Sequence, residues 1–243
     1  DVEVFEKNLA EFVGTKYAVA LNSGTDAIYL ALKAAGIGKG DEVIVPAHTF
    51  KSTIGAILSA GATPSLIDLG EGVIFRKEIR AFIPVHISGL VEGNFTKEDA
   101  DEVRKLGAVV IEDTCQAIGA VKNPPSLAQC WSFYPAKILG AYGDAGAITT
   151  NDAKVYEYVK EARNHFKETD RGFGMNSRMD NIQAAILNVK FKYLPIYIKR
   201  REYVAKMYLK GLKGVELPND TPGRVWQDFI IRYENRDGLY EYL

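Results

Sequence analysis

Short apolar runs alternate with amphipathic segments along the chain as far as Thr150. Gly, Pro, Asn or Asp bounds most of the runs, as is typical of buried strands, and the segments between them repeat apolar residues at helical spacing. We predict helices from the first residues to Val13, over Ala27–Ala35, over Lys51–Ala60 and from Thr96 onward. We predict seven strands, at Tyr17–Leu21, Glu42–Val45, Thr63–Leu69, Ala81–Val85, Ala108–Ile111, Cys130–Phe133 and Ala147–Thr150.

This alternation predicts an α/β fold, with a mostly parallel seven-stranded sheet covered by helices on both faces. After Thr150 the pattern changes to two long helical stretches, Asp152–Phe166 and Arg178–Leu212, followed by a strand candidate at Phe229–Arg232. We therefore expect a large α/β domain over 1–195 and the start of a small α+β domain over 196–243. Both chain ends fall in helical patterns, the last without a C-terminal cap, so we expect each end to be incomplete.

The composition, with 47% hydrophobic and 25% charged residues, is that of a globular protein. A net charge of −1 gives no general attraction to nucleic acid, and no apolar run approaches the length of a membrane span. Two cysteines do not make a disulfide framework, and the three histidines show no metal-binding spacing. We expect a cytoplasmic protein that binds neither nucleic acid nor membrane.

The candidate chemistry centres on a lysine and an aspartate. Lys137 follows a strand in the run Ser132–Gly140, and Asp113 follows the apolar run Val109–Glu112. A lysine can hold an aldehyde cofactor as a Schiff base, while a carboxylate can hold a protonated pyridine nitrogen. Each residue alone is more simply a surface lysine or a turn aspartate. Together they make pyridoxal phosphate the cofactor to test for.

Further candidates lie near the carboxyl ends of predicted strands, where open α/β sheets bind ligands. The turn Ser23–Thr25 precedes a helix, whose free N–H groups can bind phosphate, although a simple N-cap is the alternative. Gln116 could reach a ring hydroxyl or be a surface amide. Phe50 could stack on a flat ring or belong to the core, and the Ser132 hydroxyl could bind phosphate or the backbone.

Several motifs, taken in order along the chain, resemble one family. They are Asn22–Ala27, Gly40–Pro46 with Thr49 and Phe50, Ile83–His86, Glu112–Ala117, Ser132–Lys137, and Gly174–Asp180 with Gln183–Ala185. The ordered set is similar to that of sugar aminotransferases of the DegT/DnrJ/StrS family, which have the fold type I architecture of enzymes that use pyridoxal phosphate. The resemblance covers nearly the whole chain.

The resemblance implies a role for each residue around the cofactor ring. Lys137 matches the Schiff-base lysine, which also shuttles the proton between substrate and cofactor. Asp113 matches the partner of the pyridinium nitrogen, Gln116 the residue that contacts the ring hydroxyl, and Phe50 the stacking aromatic.

The resemblance also implies how the phosphate is held. Gly24, Thr25 and Ser132 match phosphate-binding positions within one subunit. Asn176 matches an asparagine that reaches the phosphate from the neighbouring subunit, which implies a homodimer with shared active sites.

The implied reaction moves an amino group from glutamate or glutamine to a keto-sugar, usually nucleotide-linked, in sugar or cell-surface polysaccharide biosynthesis. Two alternatives stay open. One is a sugar dehydratase that uses pyridoxal phosphate on the same scaffold, although such relatives carry histidine where Lys137 stands. The other is a non-catalytic regulatory member, against which the retention of Lys137, Asp113 and Gln116 argues.

Overall fold

The computed structural model describes residues 1–68, 78–91, 97–169 and 171–243, and seven strands within them form one sheet. The strand order across the sheet is β1-β7-β6-β5-β4-β2-β3. Strand β7 is antiparallel to both of its neighbours, and the remaining pairs are parallel. The strands are β1 (Tyr17–Leu21), β2 (Glu42–Pro46), β3 (Thr63–Ile67), β4 (Ile79–Phe82), β5 (Val109–Asp113), β6 (Ala128–Ser132) and β7 (Gly146–Thr150).

Helices cover both faces of this sheet. They are α1 (Val2–Val13), α2 (Gly24–Ala34), α3 (Lys51–Ala60), α4 (Lys97–Lys105), α5 (Ala153–Ala162), α6 (Asn181–Phe191), α7 (Leu194–Gly211) and α8 (Arg236–Tyr242). Within β1, Val19 and Leu21 pack into one apolar cluster with α2, α3 and α5, whereas Ala18 and Ala20 pack into a second cluster with α1 and α6. This two-residue period is that of a strand buried on both sides. None of the described helices is long and apolar enough to cross a membrane.

The predicted mostly parallel, seven-stranded α/β architecture is confirmed. Several predicted elements differ from the structure by a few residues at their ends, and two differ because of a proline. Strand β4 ends at Phe82 instead of Val85, because Pro84 has no N–H to continue the ladder, and Val85 makes a single bridge to Asp113. The helix predicted over Arg178–Leu212 is two helices, α6 and α7. Pro195 lacks an N–H and its ring would clash with the carbonyl of Phe191, so one continuous helix cannot form.

Four further predictions concern the element ends at Leu69 and Thr96, the strand at Phe229–Arg232 and the boundary between 195 and 196. Leu69 and Thr96, the predicted end of a strand and start of a helix, lie outside the described residues. The strand predicted at Phe229–Arg232 is wrong, because this segment makes a single bridge between Arg232 and Glu216. The boundary between 195 and 196 stays a prediction, and α7 runs through it.

Candidate functional site

A cavity of about 420 Å³ lies at the carboxyl edge of the sheet. Because β7 alone runs against the other strands, the carboxyl ends of the other six share this edge. Turns and loops that follow β1, β2, β4, β5 and β6 supply most of the lining, and the C-terminal region closes one side. The lining residues are Ser23, Gly24, Thr25, Phe50, Ser52, Val85, His86, Ile87, Asp113, Cys115, Gln116, Ser132, Tyr134, Ala136, Lys137, Gln227 and Asp228.

The structure brings almost all the predicted site residues together in this cavity. They are Gly24, Thr25, Phe50, Asp113, Gln116, Ser132 and Lys137. Asn176 does not line the cavity. It is exposed and makes an isolated antiparallel bridge with Asn164. The roles assigned to these side chains stay predictions. Their positions, seven in the cavity and Asn176 outside it, are findings about the fold.

The carboxylate of Asp113 is buried, with 5% of the residue exposed. Its Oδ2 accepts a hydrogen bond of 2.8 Å from the Thr53 hydroxyl, and its Oδ1 accepts one of 3.1 Å from the Cys115 N–H. Among the residues that the structure describes, no lysine, arginine or histidine pairs with Asp113. A buried carboxylate is stabilised by a cation, so the side of Asp113 that faces the cavity suits a protonated ring nitrogen.

The pKa of the Cys115 thiol depends on burial and on the charges around it. Burial first, and then the neighbouring Asp113 carboxylate, raise the pKa of the Cys115 thiol well above its usual range, while the charge of Lys137 opposes this shift. This shift favours the neutral thiol over the thiolate at physiological pH.

The turn at the start of α2 has the features of a phosphate site. The Ser23 hydroxyl accepts a hydrogen bond of 3.1 Å from the Asp26 N–H, which leaves the N–H groups of Gly24 and Thr25 without a partner among the described residues. A Cβ on Gly24 would lie 2.7 Å from the Cys115 sulfur and 2.9 Å from the Ser132 Cβ. Glycine is therefore required for the turn to lie this close to Ser132, and the free N–H groups suit an anion.

The carboxamide oxygen of Gln116 already accepts a hydrogen bond within the protein. Its Oε1 accepts a hydrogen bond of 2.6 Å from the N–H of Ser88, a residue with a left-handed φ of 55°. The Gln116 NH₂ group remains to donate, which suits an oxygen on a ligand ring. Phe50 is 68% exposed, so its ring is available to pack on a ligand at the cavity.

Lys137 lies in the connection between β6 and β7. Its N–H donates a hydrogen bond of 2.8 Å to the Tyr134 carbonyl, which makes a tight turn directly after β6. The side chain is half-buried and contributes to the same cavity as Asp113.

Several residues of the cavity were not assigned a role from the sequence. His86 Nε2 lies 2.8 Å from Glu112 Oε2, and both side chains are buried. The position of His86 directly after the run Ile83–Val85 was a signal that it lies at the sheet edge. Gln227 and Asp228 had no such signal, because they come from a distant, irregular segment of the chain.

Comparison with known proteins places this chain in a family. The model described as the DegT/DnrJ/EryC1/StrS aminotransferase family matches residues 1–243. The chain belongs to this family. The dTDP-3-amino-3,4,6-trideoxy-alpha-D-glucose transaminase of Streptomyces venezuelae is 37% identical over 270 residues, which cover 100% of this chain and 70% of that protein. A pleiotropic regulatory protein of Geobacillus stearothermophilus is 37% identical over 268 residues, with coverage of 100% and 71%.

Solved structures of similar proteins share the fold. The crystal structure of NtdA from Bacillus subtilis, with bound cofactor PMP, has a TM-score of 0.88 at 32% identity. The match covers 98% of this chain and 60% of NtdA. The predicted family, its fold type I architecture and the class of aminotransferase that uses pyridoxal phosphate are confirmed.

Proposed function

We propose that this aminotransferase transfers an amino group from glutamate or glutamine to the carbonyl carbon of a nucleotide-linked keto-sugar. The observation that carries the proposal is that Lys137, Asp113, Gln116 and the Gly24–Thr25 turn all line one cavity. A similar protein from Streptomyces venezuelae, named as a transaminase of a dTDP-linked sugar, supports the substrate class. Supply of amino sugars for polysaccharide synthesis would be one use of the product.

The residues of the cavity fit pyridoxal phosphate. Gly24 and Thr25 would bind the phosphate through their N–H groups, and the Ser132 hydroxyl would add a further donor. Phe50 would pack on one face of the ring. The Gln116 NH₂ would donate to the ring oxygen, because the Gln116 carbonyl is held by Ser88. When bound, this cofactor supplies an electron sink that stabilises negative charge on the carbon next to the transferred nitrogen.

Asp113 would hold a proton at the ring nitrogen. Its carboxylate is buried, accepts two hydrogen bonds that fix its position, and faces the cavity with its charge uncompensated by a described cation. This arrangement favours a cation over a neutral group at that point. Two donors from different elements, α3 and the turn after β5, hold the carboxylate in place, so little reorganisation is needed on binding.

Lys137 would move the proton of the reaction. In our proposal its Nζ takes the proton from the α-carbon of the amino donor, and in the second half of the cycle it returns a proton to the carbon of the sugar. A general base must be held within reach of both positions. The turn made by the Lys137 N–H and the Tyr134 carbonyl limits how far the lysine backbone can move.

We also propose a homodimer in which Asn176 of one subunit reaches the phosphate in the other. Asn176 is exposed and outside the cavity of its own chain, which supports a role across an interface. The neighbouring Ser177 hydroxyl donates a hydrogen bond of 2.7 Å to Asp26 Oδ2, so the Asn176 segment is attached to the phosphate turn. A cytoplasmic location belongs to the same proposal, since both cysteines are free thiols.

A spectroscopic titration tests the proposed function. The purified protein with pyridoxal phosphate should absorb visible light, lose that band on addition of glutamate or glutamine, and regain it with one member of a panel of keto-sugar nucleotides. Lys137→Ala should never form the band, whereas Lys154→Ala, which removes an exposed lysine of α5, should behave as the wild type. A wild-type protein that stays colourless with the cofactor would contradict the proposal. A band that no keto-sugar nucleotide restores would contradict the substrate class alone.

A further inference from the structure

Gln227 makes hydrogen bonds to the peptide groups on both sides of Lys137. Its Oε1 accepts one of 3.1 Å from the Ile138 N–H, and its Nε2 donates one of 3.1 Å to the Ala136 carbonyl. The residue is buried, with 8% exposed. We call this pair of contacts the Gln227 clamp. It joins a segment near the C-terminus to the connection that carries the lysine.

The Ile138 N–H and the Ala136 carbonyl, which Gln227 contacts, have no other partner among the described residues. Lys137 lies outside any helix or strand, and the turn around it is closed by the bond from the Lys137 N–H to the Tyr134 carbonyl. Ile138 is buried, with 5% exposed, so its N–H cannot turn to solvent. A buried N–H requires an acceptor, and Gln227 supplies it.

The backbone at Gln227 is itself held by two separate parts of the fold. The Arg201 guanidinium, on α7, donates to the carbonyls of Trp226 and Gln227 at 3.1 and 3.0 Å. The Val225 N–H donates to the Gly89 carbonyl at 3.0 Å, and a Cβ on Gly89 would lie 2.9 Å from the Trp226 nitrogen. Glycine at position 89 therefore allows this close approach.

Trp226 has a left-handed φ of 53°, which is strained for a bulky residue. Such a conformation persists where the surroundings determine it, and these positions cluster at functional sites. Here the strained residue places the next side chain, Gln227, against the lysine turn.

We propose that Gln227 is a positioning residue for Lys137, through which the C-terminal segment 225–228 sets the orientation of the lysine in the cavity. The inference rests on the proposed role of Lys137. Gln227 and Asp228 also line the cavity, so a substrate that contacts this segment would act on the same backbone that holds the lysine. The C-terminal segment thus contributes to the catalytic geometry as well as to the wall of the cavity.

The first measurement tests whether the hydrogen bonds of the Gln227 clamp form, and it requires neither cofactor nor activity. Amide hydrogen exchange is followed at Ile138 in full-length protein labelled with ¹⁵N-isoleucine. The Ile138 amide should be protected in the wild type, and its exchange should be at least about tenfold faster in Gln227→Leu, the scale of a lost hydrogen bond. Gln227→Glu keeps the acceptor for Ile138 and should keep protection. Gln227→Ala replaces the leucine variant if that protein does not fold by circular dichroism.

The second measurement tests whether the clamp affects the function of Lys137 in cofactor binding. Equilibrium binding of pyridoxal phosphate should weaken about tenfold in Gln227→Leu or Gln227→Ala, and the pH midpoint of the visible band should shift. Gln227→Glu should fall between these variants and the wild type. Arg232→Gln is the matched control, since it removes an exposed ion pair with Glu216 in the same region and should change neither quantity.

Different results overturn different statements. An Ile138 amide that loses protection in Gln227→Leu while cofactor affinity and the band stay unchanged would overturn the inference, as would an unprotected Ile138 amide in the wild type. If the Lys137→Ala variant still shows the visible band of the wild type, the proposed function is contradicted instead. The exchange measurement would still decide whether the clamp exists.

Discussion

The hydroxyl of Thr53 donates a 2.8 Å hydrogen bond to the buried carboxylate of Asp113. Thr53 is itself fully buried on α3, and its oxygen lies 2.8 Å from the Thr49 hydroxyl. The helix that follows β2 therefore fixes the acid at the end of β5. This hydrogen bond between two crossover units holds the buried charge at one point on the carboxyl edge of the sheet.

Replacement of this acid by its amide should damage chemistry more than folding. Asp113→Asn keeps the shape of the side chain but removes the charge that favours a protonated ring nitrogen. We expect kcat to fall by about 10²-fold or more, the range for loss of a preorganised electrostatic contact. Steady-state kinetics and thermal unfolding measure the two effects. Asp101→Asn, an exposed change on α4, is the control, and near-wild-type turnover in Asp113→Asn would contradict the role of the acid.

The same substitution should alter the reactivity of Cys115. The Asp113 carboxylate contributes to raising the pKa of this thiol, so its removal should lower the pKa toward the ordinary value. At a fixed pH near 8, a larger thiolate fraction then makes alkylation of Cys115 faster. Mass spectrometry of protein treated with iodoacetamide over a pH series measures the rate. The Asp101→Asn variant serves as the control, and an unchanged Cys115 profile in Asp113→Asn would count against the electrostatic cause.

Gly24→Ala should weaken cofactor binding. The new Cβ would lie 2.7 Å from the Cys115 sulfur, so the turn must move away from Ser132. Overpacking of this kind costs about 1–3 kcal/mol, and we expect a similar loss in binding of pyridoxal phosphate. Gly55→Ala is the matched control, because a Cβ there meets nothing within 4 Å and alanine is the better helix former. Titration with pyridoxal phosphate and thermal unfolding should separate the two variants, and equal affinities would show that the turn is not the phosphate site.

Mixed dimers should reveal shared sites. Lys137→Ala and Asn176→Ala subunits are each inactive alone, but a mixed dimer has one site with both residues intact. Random reassortment of equal amounts makes half of the dimers mixed, with one working site of two, so about a quarter of wild-type activity should return. A mixture of Lys137→Ala with Asp113→Asn should show no rescue, because both residues line the same cavity of one chain. Verified mixed dimers without activity would contradict the role of Asn176.

Local signals in the sequence were enough to predict most of the sheet. The run Tyr17–Leu21 is apolar at every position because the strand is buried on both faces, and α3 begins and ends at the predicted residues. Pro84 and Pro195 were also local signals, and their effect on the ladder and the helix was underestimated. The strand predicted at Phe229–Arg232 is wrong because, within the part of the chain that the structure describes, this segment has a single bridge to Glu216 and no neighbouring strand.

The candidate site could be predicted as far as its residues follow strands or match the family motifs. The need for glycine at position 24 arises from Cys115 and Ser132, which are distant in sequence, and no local pattern shows it. Gln227 is a stronger case, since it bonds peptide groups on both sides of Lys137 from an irregular segment whose position depends on Arg201. Contacts of this kind depend on tertiary structure and appear only when the chain is folded.

The reversed direction of β7 determines what kind of connection can carry the lysine. Two parallel neighbours would have required the chain to travel from one end of the sheet to the other, usually through a helix. Because β7 runs back along β6, the chain after Ser132 stays at the end where it emerged and re-enters the sheet at Gly146. The amine is thus carried by a return loop over 133–145 that is anchored at both ends in the sheet.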